Sequence, residues 1–505
     1  MNRWSEDSRL TKETSAIGKL VAKEERIIMN RVRSIVFFFS GFLLFCFSCQ
    51  VVWSQDVVSA WGRNDYGQLG DGTYSYDSNT PVRVSGLTGI RAIAGGGLHS
   101  LALKSDGTVW AWGRNNYGQL GDLTFTTTSV PVQVVGLSNM TVIAAGFDHT
   151  LALERNGTVW AWGRNDYGQL GDGTNATTNG PVPVSGLFGI RAIAGGGLHS
   201  LALKSDGTVW AWGYNLLGQL GNGTYTTSNT PVQVSGLTNV IAIAGGYFHN
   251  LALKSDGTVW TWGWNYYGQL GDGTYSYDSN TPVQVSGLTG MIALAGGGSH
   301  SLALRSDGRV WAWGSNDVGQ LGNGGTNTTS NTPVPVSGLI GVTVIAGGEF
   351  HSLALKSDGT VWAWGRNDRG QLGDGTNPPI VSTNTPVQVS GLTGQAAIAG
   401  GEHHSLALNG LSQVTPEQAI NNLIVQVKNW SLGVLPPAQT KSLTAMLDDA
   451  LEHLQQGNEA DAIDALYDFE NKVKALVLSH RVTAAAAAPL LSAADSIIAM
   501  LIAML

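Results

Sequence analysis

Between residues 55 and 410 the chain is a succession of short apolar runs of period two, separated by glycine-rich turns, which is the pattern of short β-strands rather than helices. One unit, His99 to Gly113, reads HSLALKSDGTVWAWG and predicts two strands joined by a Ser-Asp-Gly turn, with Asp106 and Gly107 expected to supply positive φ angles. In Val109-Trp110-Ala111-Trp112 the period of two puts both tryptophans on one side of the sheet and the small residues on the other. A further strand ends in Ala92-Ile93-Ala94, where glycines 95 to 97 break it, and a fourth is Pro131-Val132-Gln133-Val134, whose proline suits a strand start or an outer edge. Four short strands per unit make a propeller blade.

The unit recurs. Histidines of the H-S/T/N-L-A-L segment stand at His99, His149, His199, His249, His300, His351 and His404, and Trp-Gly pairs end at Gly62, Gly113, Gly163, Gly213, Gly263, Gly314 and Gly365. Both series have seven members at intervals of 50 to 53 residues. The first unit opens on Val57-Val58-Ser59-Ala60-Trp61-Gly62, a tryptophan strand without its preceding partner. The last stops at His404-Ser405-Leu406-Ala407-Leu408, a strand without its following partner. The two halves are expected to pair in one shared blade, removing open sheet edges. The fold class is therefore mainly β, a seven-bladed β-propeller with four-stranded blades, plus a small C-terminal α-helical bundle.

That bundle is read from a change of period. After a linker over 411–416, residues 417–505 are rich in alanine, leucine and charge. Thr415-Pro416-Glu417-Gln418 is a capping box, and Ile420, Leu423, Ile424 and Val427 form one apolar face. A second helix carries Leu443, Met446, Leu447, Ala450, Leu451 and Leu454 and ends at Gly457. A third begins at Asn458 and carries Ile463, Leu466, Phe469, Val473 and Leu476, and a last one runs from about Pro489 to Leu505.

Composition narrows the function. Of 505 residues 13% are charged, and a net charge of −8 offers no basic footprint for phosphate backbones, so nucleic acid is not an expected partner. Residues 29–54 read as an export signal, Arg31 and Arg33 preceding an apolar run from Ile35 to Phe47 that is too short for a membrane span. Residues 1–28 are polar and read as a doubtful extension upstream of it. Cleavage is placed after Ser54; lipidation at Cys49 is the weaker option, because the segment before it lacks the usual aliphatic residue. Both cysteines lie in this segment, so the mature, exported chain (extracellular, periplasmic or cell-surface) has no thiol chemistry and no disulfides.

The seven equivalent histidines read as structural, since side chains repeated around a ring do not converge on one ion. His403, beside Glu402, adds two ligand types at most. Gly-Gln-Leu-Gly-Asp-Gly, as at Gly67 to Gly72, lacks the lysine and hydroxyl residue of a phosphate loop and the acidic density of a calcium loop. No catalytic, cofactor or metal site is expected. Recognition is assigned instead to positions that break the repetition, because Gly89–Gly113 and Gly189–Gly213 are identical over 25 residues while the loops differ. One varied set follows Gly-Gln-Leu-Gly: Tyr74, Tyr76, Phe125, Tyr225, Tyr275 and Tyr277. The other follows the Trp-Gly pairs: Arg63, Arg114, Arg164, Tyr214, Trp264, Ser315 and Arg366, with Tyr66, Tyr117, Tyr167, Tyr266 and Tyr267 close behind. Tyrosine, tryptophan and arginine anchor interfaces, so a protein or polysaccharide surface is the expected partner.

G-G-x-x-H-S-L-A-L, S-D-G-T-V-W-x-W-G-x-N and G-Q-L-G together resemble the regulator of chromosome condensation repeat family over residues 57–410. The resemblance implies a seven-bladed propeller. The family's eukaryotic founder is an exchange factor for a small nuclear GTPase, an alternative function here. That activity depends on an inserted wedge, whereas no interval in this chain exceeds 53 residues. A secreted bacterial relative clamps β-lactamases with one face, which implies a non-enzymatic binding or scaffold role. The C-terminal helices are similar to FIMAH modules of secreted bacterial proteins.

Overall fold

In the computed structural model, the described residues are 57–74, 77–376, 381–410 and 437–479, with separate helical positions among 417–427 and 487–501 and the single residue Val482. The export signal, Cys49, Tyr76, the linker and the capping box at 415–416 lie outside them. Twenty-eight strands form seven four-stranded antiparallel sheets. In one blade the order from axis to rim is β3 (Ile90–Gly95), β4 (His99–Lys104), β5 (Val109–Gly113) and β6 (Thr128–Gln133), and the other blades repeat it.

The ends meet in one blade. There β1 (Val58–Gly62) pairs antiparallel with β28 (His404–Asn409), Val58 opposite Leu408 and Gly62 opposite His404. β2 (Ser78–Arg83) and β27 (Gln395–Gly400) complete that sheet. The outer strand starts three residues earlier than expected, at Thr128, and Pro131 sits within it on the free edge, where no donor is needed.

The hairpin turn differs from expectation in one respect. Gly107 has φ +83°, but Asp106 is not among the residues of positive φ. Asp106 Oδ1 instead accepts from the Thr108 N–H at 2.9 Å and its hydroxyl at 2.7 Å, so the aspartate fixes the turn through its side chain.

Packing follows the period of two. Trp112, fully buried, and Trp110 lie against Val58, Ala60, Leu406 and Leu408 of the preceding blade, while Val109 and Ala111 meet Trp162 of the next. Every seam is also hydrogen-bonded in the same way. The backbone oxygen of Gln68 accepts from Trp112 Nε1 and from the Ser100 hydroxyl, both at 2.9 Å. His99 Nε2 reaches Thr150 of the next blade at 3.1 Å, and His404 closes the circle on Ser100 at 2.9 Å.

One blade settles the tautomer. Asn250 Nδ2 donates to Gln219 O, so its Oδ1, an acceptor only, receives His199 Nε2–H at 2.7 Å. The hydroxyls elsewhere spend their one proton on a glutamine carbonyl, so those histidines also donate through Nε2. The imidazole leaves no room beside it: a Cβ on Gly96 would lie 2.2 Å from His99 Cε1. That is why the third residue before each histidine is always glycine, whereas the glycine before it faces the neighbouring blade's backbone, a Cβ on Gly95 lying 2.6 Å from Gly400 O, and is replaced once, by Ala145.

The helices have their own core. α1 (Pro437–Gln455) and α2 (Glu459–Leu478) bury Leu443, Leu447, Leu466 and Phe469 together with Ile420, Leu423, Ile424 and Val427 and with Leu490, Ile497 and Leu501. These are the apolar positions expected of an amphipathic bundle. Among the described residues no helix is long and apolar enough to cross a membrane.

Candidate functional site

Strand direction decides which loops share a face. First strands end at the Gly-x-x-His turn and third strands at Trp-Gly, so both turns of all seven blades open on one face, here the loop face. The Ser-Asp-Gly hairpins lie on the other. Six Gly-Gly segments and Ala145-Gly146 converge on the axis and line a funnel whose mouth carries Phe147, Tyr247, Glu349 and Glu402, with glycine at the equivalent Gly97, Gly197 and Gly298.

The turn after Trp-Gly is rigid. Asn64 and its six equivalents are buried, and their Oδ1 atoms accept the N–H of the leucine five residues on at 2.8–3.1 Å. The residue before each asparagine is thereby held on a fixed frame. Arg63, Tyr66, Arg114, Tyr117 and Arg164 form an alternating ladder across three blades, with guanidinium carbons 5.0–5.7 Å from ring centroids. The next arc is aromatic. Tyr167, Tyr214, Phe248, Trp264, Tyr266 and Tyr267 touch in sequence, and Tyr247 links them to Phe147 at the funnel. Tyr266 is 59% exposed while Trp264 is half-buried beneath it.

Charge occupies the remainder. Asp148, almost fully buried, lies 3.8 Å from Arg114 and 3.7 Å from Arg164; burial raises its carboxyl pKa and the two arginines oppose that rise. Arg366 is paired with Asp368 at 2.6 Å and lies over Phe350. Ser315 is buried and receives Gln320 Nε2, so it belongs to the frame rather than to the surface. Burial, then Glu402, pushes the Glu349 carboxyl up to about 8, and burial with the same acids pushes Tyr247 up to about 12.

The two sets expected from sequence lie on different rings and meet at Tyr277, whose backbone oxygen accepts the Asn265 N–H beside Trp264 at 2.9 Å. Tyr74, Phe125, Tyr225, Tyr275 and Tyr277 are 46–63% exposed beside the outer strands. Three of them reach across to the next blade: Tyr74 to Thr127 O, Tyr225 to Asp278 and Tyr275 to Thr329. Arg63, Arg114, Arg164, Tyr214, Trp264 and Arg366 form the inner ring of the loop face. Sequence reading missed the third contribution, the two positions before each histidine, Phe147-Asp148, Tyr247-Phe248 and Glu349-Phe350 among them, and took Glu402-His403 only as a two-ligand pair. Their variation inside an otherwise constant G-G-x-x-H was the available signal.

Comparison with known proteins agrees with this architecture. The profile described as RCC1-like domain matches residues 46–340, and two profiles for the regulator of chromosome condensation (RCC1) repeat match 342–371 and 358–408. The FIMAH domain matches 432–499. The E3 ubiquitin-protein ligase HERC2 of Mus musculus is 37% identical over 148 residues, 28% of this chain and 3% of that protein, so this chain spans only a small part of that relative. Human WBSCR16 superposes with TM-score 0.64 at 27% identity, covering 70% of this chain and 99% of its own. Yeast RCC1 (Prp20), solved bound to Kap60, gives 0.63 at 25% identity, covering 71% and 90%.

Proposed function

Because the chain belongs to the regulator of chromosome condensation (RCC1) repeat family, we propose that it is an exported, non-enzymatic binding protein that holds a protein partner on the loop face of its ring. The observation that carries this reading is the contiguous aromatic arc from Phe147 to Tyr267, flanked by the Arg–Tyr ladder. Large, partly rigid rings beside guanidinium groups, mounted on hydrogen-bonded turns, bind with little ordering cost. A family relative, yeast RCC1, is itself held by a protein partner, Kap60. The ligase name of HERC2 does not carry over, since the match covers 3% of that protein.

The test is affinity capture from the extracellular and envelope fractions with the full chain, alongside Trp264→Ala and Tyr275→Ala. A protein retained by the parent and by Tyr275→Ala, and lost with Trp264→Ala, is the expected result. Retention of a polysaccharide instead would replace the partner class. Stimulated nucleotide release from a small GTPase, with no capture, would favour the exchange-factor reading over this one.

A further inference from the structure

The aromatic arc and the Arg–Tyr ladder leave one cluster at the funnel mouth unexplained. Glu349 comes from one blade, and Glu402 and His403 come from the neighbouring blade that closes the ring. One ligand atom from each of the three lies within 4.8 Å of the others, and His403 Nε2 is 3.3 Å from Glu402 Oε1, a separation that two ligands of one ion would show. We propose that Glu349, Glu402 and His403 form a binding site for one divalent transition cation, of which zinc is the type, bridging the last seam of the propeller.

Three features beyond proximity support it. Glu402 Oε2 is buried and has no hydrogen-bond partner, although a carboxylate oxygen withdrawn from water normally finds one. Glu349 and Glu402 act on each other as like charges, and Arg366, the guanidinium that opposes this at Glu349, makes its two hydrogen bonds to Asp368 rather than to either glutamate. Both ligand-bearing turns are also fixed before any ion arrives. The Glu349 N–H donates to Gly401 O at 3.2 Å, the Glu402 N–H donates to Gly97 O at 3.1 Å, and the His403 ring stacks on Phe350.

One imidazole nitrogen with two carboxylates suits zinc or manganese better than calcium, whose sites are built from oxygen alone. Three protein ligands leave a coordination position open towards the funnel. The site breaks sevenfold repetition as the aromatic arc does, but it requires no partner.

The test uses the full chain stripped with chelator and titrated with zinc chloride by calorimetry at pH 7.5. One equivalent should bind with a micromolar or tighter dissociation constant and raise the melting temperature. Glu349→Gln and His403→Gln should each weaken binding by at least about tenfold, whereas His453→Asn, on α1, should leave it unchanged. Glu349→Gln keeps the side chain's size and shape at a partly buried position, so this variant is expected to fold and keeps the test decisive. No saturable binding at millimolar zinc, or binding that survives both substitutions, overturns the proposal.

Discussion

The seam and the rim of this ring are built by the same repeat, and they obey opposite rules. At the seams, histidine, a hydroxyl or amide residue, the glutamine carbonyl and tryptophan recur seven times with hydrogen bonds that differ by a few tenths of an ångström. On the loop face, equivalent positions carry arginine, tyrosine, tryptophan and serine, or glycine, phenylalanine, tyrosine and glutamate. Uniformity closes the circle, because each blade must present to the next what it receives from the last. A single partner has no sevenfold symmetry, so recognition requires the departures.

Acid should separate the two regions most strongly. Burial holds His99, His149, His249 and His351 down to about 3, and His199, His300 and His404 to about 4, against an ordinary value of 6.5. The unfolded chain therefore binds protons that the native ring refuses, and stability present above pH 6.5 is lost as pH falls towards 4, by up to about 10 kcal/mol per pH unit if all seven contribute. Circular dichroism from pH 7 to 3 should show cooperative unfolding between about pH 6 and 4. A ring native at pH 3 would contradict the neutral-histidine seam.

Single seam substitutions come next. Trp212→Ala removes a fully buried ring and the donor to Gln169 O, and is expected to cost about 3–5 kcal/mol in urea unfolding. Asn250→Leu leaves the buried His199 donor unpaired and removes one of the two donors to the Gln219 carbonyl, which keeps Trp262 Nε1, and should cost about 1–3 kcal/mol. A negligible effect would mean that the network is not specific to these atoms.

Rim substitutions should do less to stability. Glu349→Gln should stabilise the metal-free chain, with a sign set by its raised pKa. At pH 4 both side chains are neutral and the melting temperatures match. As pH climbs from about 4.5 towards about 8 the unfolded parent releases a proton that the native ring retains, so the parent loses stability and the variant should pull ahead by several degrees. Tyr275→Ala, exposed at the outer edge, should stay within about 0.5 kcal/mol of the parent.

The seam was legible in the sequence because it repeats. Seven copies of His and Trp-Gly announced the blade, its strand order and the pairing of the first strand with the last, whose register, Val58 opposite Leu408, only the structure gives. The turn at Asp106 was misjudged because Asp-Gly fits two backbone solutions, and the Asp106 carboxylate, accepting the N–H two residues on, holds the one with positive φ at Gly107 alone. The rim was half legible. Arg63, Arg114, Tyr214 and Trp264 stood out as variants of one position, but their neighbours are supplied from the turn before a histidine, Asp148 for Arg114 and Phe248 for Tyr214 and Trp264, and another blade supplies Glu349 to His403. Which variable residues share a face depends on strand direction and blade order, and no local pattern encodes that.

The claim that recognition resides on the loop face is tested most directly by amide hydrogen exchange on the full chain, free and bound to its captured partner. Protection is expected at residues 147–148, 214–217, 247–248 and 264–267, with the Ser-Asp-Gly hairpins at 105–107, 205–207 and 255–257 unchanged. Protection of those hairpins, with the aromatic arc exchanging as in the free chain, would place the partner on the opposite face and contradict the account.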